Sequence, residues 1–146
     1  MIDVGSKPPT ERVAVARALL VMSKATRARV AAGEVEKGDV LAAARLAGIL
    51  AAKKTPDLVP LCHPIALSAV EMEVRLTARG VEAVATVHTV DRTGVEMEAM
   101  VSASVAALTI YDMCKGADRG ISIGDVSLLS KEGGRSGSYR GEAPRT

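Results

Sequence analysis

The sequence predicts an α+β fold, a ferredoxin-like sandwich in which one antiparallel sheet is covered by helices on one face. Three observations predict it. Candidate elements run in the order strand, helices, strand, strand, helix, strand; the two middle strands are joined by a short turn; and the helical segments carry small apolar residues that permit close packing.

After Pro8-Pro9, the run Arg12 to Met22 alternates imperfectly between apolar and polar residues, which suits a strand. Ser23 is placed to cap a short helix over Thr26 to Ala32, stopped by Gly33. Gly38-Asp39 opens a second helix. Its Val40, Leu41, Ala44, Ala47, Gly48 and Ala51 recur at three and four residues, and Thr55-Pro56 is expected to end it. Ala66 to Ala78 and Val81 to Val90 both alternate with a period of two, with Arg79-Gly80 as the turn of an antiparallel hairpin. Gly94 to Ala117 has the longest helical pattern, and Ile121 to Leu129 closes as a strand. Residues 131–146 read as a polar, Gly/Ser-rich loop and tail in which Pro144 discourages any further element, the whole of 1–146 forming a single domain.

The bulk properties narrow the function classes. The chain has 146 residues, 48% apolar and 25% charged, but only 1% aromatic, contributed by Tyr111 and Tyr139. A core of small aliphatic side chains buries little area per residue, so burial between subunits is expected and the chain is read as a homo-oligomer. A net charge of +2 does not support the dense basic footprint of a nucleic-acid binder. The uncharged stretch Ala99 to Tyr111, 13 residues long, falls short of the roughly 20 needed to span a bilayer, and no membrane role is expected. The Met-Ile-Asp-Val opening lacks the basic-then-apolar pattern of a signal peptide, and two cysteines make no disulfide framework, so a cytoplasmic location is expected.

Several residues could carry chemistry, each beside a plainer explanation. Leu61-Cys62-His63-Pro64 sits between helix and strand, where a proline-fixed backbone can hold an imidazole or a thiol, although a lone turn histidine is more often structural. Cys62, His63, His88 and Cys114 show none of the paired spacings of a zinc site, and no metal centre is expected. Glu96-Met97-Glu98 follows Thr93-Gly94 at the start of the long helix, where carboxylates are favoured by the macrodipole alone. Asp112 and Lys115 lie three apart on one helical face beside an uncharged stretch, either a surface ion pair or an acid and base candidate. Lys37, just before a helix start, is suited to phosphate or is simply a loop lysine. Lys131 to Arg140 has the glycines and cations of an anion-binding loop without P-loop spacing, or is simply a disordered tail, and Lys131 to Gly137 is expected to be flexible until it closes over phosphates.

Taken together, five segments closely resemble the molybdenum cofactor biosynthesis protein C family, the cyclic pyranopterin monophosphate synthases. They are Lys37-Gly-Asp-Val with Ala-Arg45-Leu-Ala-Gly48, Asp57-Leu-Val-Pro-Leu-Cys-His-Pro64, Thr93-Gly-Val-Glu-Met-Glu-Ala99, Ala106 to Lys115, and Leu128-Leu-Ser-Lys-Glu-Gly-Gly-Arg-Ser-Gly137. They keep their order over nearly the whole chain; Arg135 stands where lysine is common in the family. The resemblance implies a lyase that converts 3′,8-cyclo-7,8-dihydro-GTP to cyclic pyranopterin monophosphate with release of pyrophosphate. It also implies a ferredoxin-like subunit in a hexamer built as a trimer of dimers, acting after a radical GTP-cyclising enzyme. Carried over by motif, Asp112, Lys37, Lys115 and His63 are the implied catalytic residues. Leu61, Cys62, His63, Glu96, Met97, Glu98, Lys131 and Arg135 are the implied substrate contacts.

These residue types suit that chemistry. Opening and reclosing a purine needs proton transfers without net redox change, so no built-in cofactor is expected; Mg²⁺ can accompany the substrate phosphates, but the sequence shows no dedicated cage. Lys37, Lys115, Lys131 and Arg135 could hold the phosphates and stabilise departing pyrophosphate. A ligand-sensing module of the same fold class lacks a reason for so many ionisable residues in these motifs. An RNA-recognition domain needs stacking aromatics, and the chain has no Phe or Trp.

Overall fold

The computed structural model describes residues 1–141, so Pro144 and the end of the expected tail lie outside the described residues. β1 (Thr10–Val21) is followed by α1 (Lys24–Ala32), α2 (Val40–Ala52) and the four-residue α3 (Thr55–Leu58). The hairpin β2 (Leu67–Leu76) and β3 (Gly80–Asp91), the long α4 (Glu96–Cys114), β4 (Ser122–Glu132) and the short β5 (Tyr139–Arg140) complete it. The sheet order is β2-β3-β1-β4-β5, with all neighbouring strands antiparallel. This is the expected α+β, ferredoxin-like arrangement.

Ala-rich strands allow α4 to lie close on the sheet. On β1 the residues Ala14, Ala16, Ala18 and Leu20 point into the core, opposite Val87, Ala85, Ala83 and Val81 of β3 in register. Ala99, Ala103, Ala106, Ala107 and Ile110 of α4 are fully buried. These small residues therefore pack within the subunit, not between subunits, and the exposed large apolar side chains of α4 are Met97 and Leu108. α2 packs on α4 through Gly48, where the Ser102 hydroxyl donates to the Gly48 carbonyl oxygen at 2.8 Å. The other sheet face is uncovered and carries an ion-pair row, Glu73, Arg75, Glu82, Arg17 and Asp125, across four strands. Arg17 belongs to that row, whereas Val13, Val15, Leu19 and Val21 on the same alternate positions are apolar, which is why β1 alternates imperfectly.

Two elements differ from expectation. Pro56 does not merely stop α2, which ends at Ala52; it sits in the first turn of α3, where a missing N–H is harmless. The last long strand runs to Glu132, not Leu129, and the segment expected to be a flexible loop turns back through Gly133, Gly134 and Gly137, all at positive φ. Tyr139 then pairs with Lys131, and Arg140 with Ser130. Lys131 is thus part of a ladder, not of an unstructured lid.

Candidate active site

Local signals place the first cluster. Ser23 and Asp39 cap α1 and α2, accepting hydrogen bonds from the N–H groups of Thr26 and Ala42, and the turn Glu36-Lys37-Gly38 between the helices uses Gly38 at φ +100. This turn carries Lys37 to the C-terminal end of α4. There Lys37 Nζ donates to Asp112 Oδ2 at 2.7 Å and to the Asp112 carbonyl oxygen at 3.0 Å. Lys115 Nζ stands 2.7 Å from the other carboxylate oxygen, Oδ1. Hydrogen bonds first from Lys115 and then from Lys37, with the charges of both ammonium groups, hold the Asp112 pKa down to about 2. The same contact raises that of Lys115. All three side chains are about half exposed, so substrate can reach them.

Beside this triad is a cavity of about 300 Å³, lined also by Arg29 and Glu36. That volume is at the lower end for small-molecule pockets. Asp118, just past α4, accepts from Ser23 N–H and Thr26 Oγ1 at 2.9 Å each, tying the α4 end to the α1 start. These hydrogen bonds lower the Asp118 pKa.

The second cluster forms at the N-terminal end of α4. Glu98 is buried, and its burial, followed by the nearby Glu96 charge, raises its pKa. Glu96 instead meets Lys131 at 3.3 Å, while Lys131 also donates to Ser136 Oγ. Cys62 lies near Glu98; burial and then the Glu98 charge push its thiol up, which disfavours a thiolate nucleophile. His63 and Leu61 are in the same α3–β2 loop, His63 partly and Leu61 largely exposed; Met97 is exposed on α4, and Arg135 is exposed on the β4–β5 hairpin.

Within one subunit the expected residues therefore fall into two groups. Glu98 and Asp112 lie fourteen positions apart on one uninterrupted helix, roughly 21 Å at 1.5 Å per residue. Arg12 joins the second cluster without having been singled out in the sequence. It lines a crevice with Glu96 and Lys131, held by hydrogen bonds to the carbonyl oxygens of Asp91 at 2.9 Å and Arg92 at 3.2 Å. Its only sequence signal is a cation opening a strand.

The sequence profile of the MoaC family matches residues 1–134, which include every residue of both clusters but Arg135 and Ser136. The chain belongs to the MoaC family. A cyclic pyranopterin monophosphate synthase of Geobacter metallireducens is 58% identical over 146 residues, covering 99% of this chain and 91% of the relative. That of Pelobacter propionicus is 57% identical over 97% of this chain and 90% of the relative. The Thermomicrobium roseum enzyme of the same name is 53% identical over 97% and 87%. The segments that carry the resemblance hold Lys37, Asp112 and Lys115 at one end of α4 and Cys62, Glu96, Glu98 and Lys131 at the other. Among the described residues no group of three or more His, Cys, Asp or Glu is gathered to hold a metal ion, and no helix is long and apolar enough to cross a membrane.

Proposed function

We propose that the chain catalyses the reaction for which its relatives are named, converting 3′,8-cyclo-7,8-dihydro-GTP to cyclic pyranopterin monophosphate and pyrophosphate. The observation that carries this reading is the Lys37–Asp112–Lys115 triad, assembled beside a cavity in a chain that matches the family over nearly all its length. In the closing step a substrate hydroxyl oxygen attacks the α-phosphorus, the bond to the bridging oxygen of the β-phosphate breaks, and pyrophosphate leaves. The hydroxyl proton goes to a base.

Asp112 is ionised but weakly basic while two ammonium groups hold it. Substrate phosphates compete for those ammonium groups. As Lys37 and Lys115 turn to phosphate, the carboxylate loses the contacts that depress it and becomes a stronger proton acceptor, so substrate binding itself arms the base. Glu98, biased by burial toward its protonated form, is suited to donate a proton, with His63 and Cys62 nearby on the α3–β2 loop. Lys131, Arg135 and Arg12 add cations at that end. The rearrangement needs no resident cofactor, and Mg²⁺ travels, where present, on the phosphates.

The separation of the two clusters supports a homo-oligomer in which α4 packs antiparallel on its copy across a two-fold axis, making each site from two subunits. Met97 and Leu108 of α4, with Leu46 and Leu50 of α2, are exposed apolar side chains available for that contact. The expected assembly is a hexamer as a trimer of dimers, in the cytoplasm, downstream of a radical enzyme that cyclises GTP. Incubation with the cyclised nucleotide, following pyrophosphate and pterin, tests the proposal; folded protein that forms neither would refute it.

A further inference from the structure

The cavity beside Asp112 includes a cation for which neither the family motifs nor the triad provides a task. Arg29 of α1 lines it together with Lys37 and Lys115. Both lysines give their ammonium groups to Asp112 at 2.7 Å. Arg29 has no carboxylate partner among the described residues, and its guanidinium makes one hydrogen bond there, to the Glu34 carbonyl oxygen at 3.2 Å. A guanidinium carries five N–H donors in a planar fork, so most of its hydrogen-bonding capacity is unused.

A plainer role exists. Arg29 is in the last turn of α1, where a cation offsets the partial negative charge of the helix end. That explains a positive charge but not its place on the wall of the cavity. Arg27, two residues earlier, makes the comparison: its guanidinium reaches the Thr77 carbonyl oxygen near the β2–β3 turn.

We infer that Arg29 forms an anion subsite for the distal phosphates of the nucleotide and for the pyrophosphate they become. This rests on the reaction proposed above. The reacting α-phosphorus must lie near Asp112, whereas the distal phosphates carry the most negative charge and are repelled by that carboxylate. They seat best toward a cation with no carboxylate of its own. The fork of Arg29 matches two phosphate oxygens at once, which a lysine cannot do.

The test is calorimetric titration of inorganic pyrophosphate into the wild-type protein and the Arg29→Met, Arg29→Lys and Arg27→Met variants, with melting temperatures compared and turnover of the cyclised nucleotide measured. Arg29→Met should bind pyrophosphate about tenfold more weakly, the loss of one charge-assisted contact. The penalty on turnover should fall on KM and not on kcat. Arg29→Lys should recover part of the affinity, and Arg27→Met should stay within about twofold of wild type. Wild-type affinity in Arg29→Met, or an equal loss in Arg27→Met, would overturn the subsite. If wild-type protein turns over nucleotide while Arg29→Met binds pyrophosphate normally, the subsite alone fails. If pyrophosphate binding depends on Arg29 but no nucleotide is turned over, the proposed reaction fails and the anion subsite remains.

Discussion

Lys37 and Asp112, seventy-five positions apart in the chain, meet through an ammonium–carboxylate contact of 2.7 Å. Because Lys37 also holds the Asp112 carbonyl oxygen, the turn before α2 is tied to the end of α4 by both side chain and backbone. Asp112→Asn should keep the size and most hydrogen bonding of the side chain while removing the proton acceptor. We expect kcat to fall by about 10²–10⁴, the usual contribution of a general base, with little change in melting temperature. Near-normal turnover would remove Asp112 from the chemistry.

The same contact sets a pH dependence. A folded-state value of about 2 lies below the roughly 3.9 of an unfolded aspartate, so whatever this contact contributes to stability is complete above the unfolded value and is lost as pH falls toward 2. The free enzyme should therefore show no Asp112 titration between pH 5 and 9. Lys115 moves in the opposite sense, raised chiefly by the hydrogen bond to Asp112. In Asp112→Asn its pKa should drop, which an NMR titration of the side-chain amine can follow. An unchanged Lys115 titration would mean that the contact does not persist in solution.

The parts of this architecture that depend on local chemistry are legible in the sequence. The caps Ser23 and Asp39, the short β2–β3 turn and the alternation of β2 and β3 all act within a few residues, and the structure bears them out, with the turn shifted to residues 77–79 and Gly80 already in β3. α3 and β5 are not legible, since Pro56 serves equally to stop one helix or start another, and two residues of β5 pair only because the edge of β4 is there. The site divides similarly. Asp112 and Lys115 share a helical face and can be paired by spacing, but the approach of Lys37 is tertiary and is implied only by the family resemblance. Arg12 and Arg29 carry no local signal that separates them from other strand and helix-end cations, because what distinguishes them is which cavity wall they occupy.

Glu98 should cost stability at neutral pH. Its carboxyl is buried, with a pKa raised by burial and then by Glu96. Since the folded value lies above the unfolded one, the stabilising effect of the proton is complete below the unfolded value near 4.3 and is lost as pH rises through the folded value. Glu98→Gln cannot ionise. At pH 7 it should melt higher than wild type, and the difference should vanish as pH falls to about 4. Activity should fall as stability rises, the expected trade where a functional carboxyl is buried. A variant that melts lower at pH 7 would show that the ionised carboxylate is well accommodated.

Gly48 sets the distance between α2 and α4. A Cβ there would stand 2.5 Å from Met72 Cε and 3.0 Å from the Ser102 carbonyl oxygen. Met72 can yield, but the backbone of α4 cannot move as freely. Alanine gains at most about 1 kcal/mol of helix propensity, against about 1–3 kcal/mol for overpacking. Gly48→Ala should lose about 1 kcal/mol net in urea unfolding. Turnover should drop too, because α2 begins three residues after Lys37 and any shift is passed to the Lys37–Asp112 contact. Wild-type stability in this variant would show that the helices separate without penalty.

The length of α4 bears on how many subunits make one site. Glu98 and Asp112 sit on a single helix running from Glu96 to Cys114, so the two ends cannot be brought together by a break within it. At about 1.5 Å per residue the fourteen intervening steps separate them by roughly 21 Å, more than one nucleotide bridges with first contacts at both ends. If both residues serve one substrate, the antiparallel pairing of α4 with its copy places Glu98 of one subunit beside Asp112 of the other. The test mixes subunits carrying Glu98→Ala with subunits carrying Asp112→Ala, each inactive alone. In a mixed dimer with shared sites, both lesions fall in one site and the other is intact, so half of the sites in such dimers should recover activity. With sites confined to single subunits every site retains a lesion, and no activity returns. Mixed assembly must first be verified by mass spectrometry of the intact oligomer. Verified mixed dimers that remain inactive would reject the shared site and assign the two ends of α4 to separate tasks.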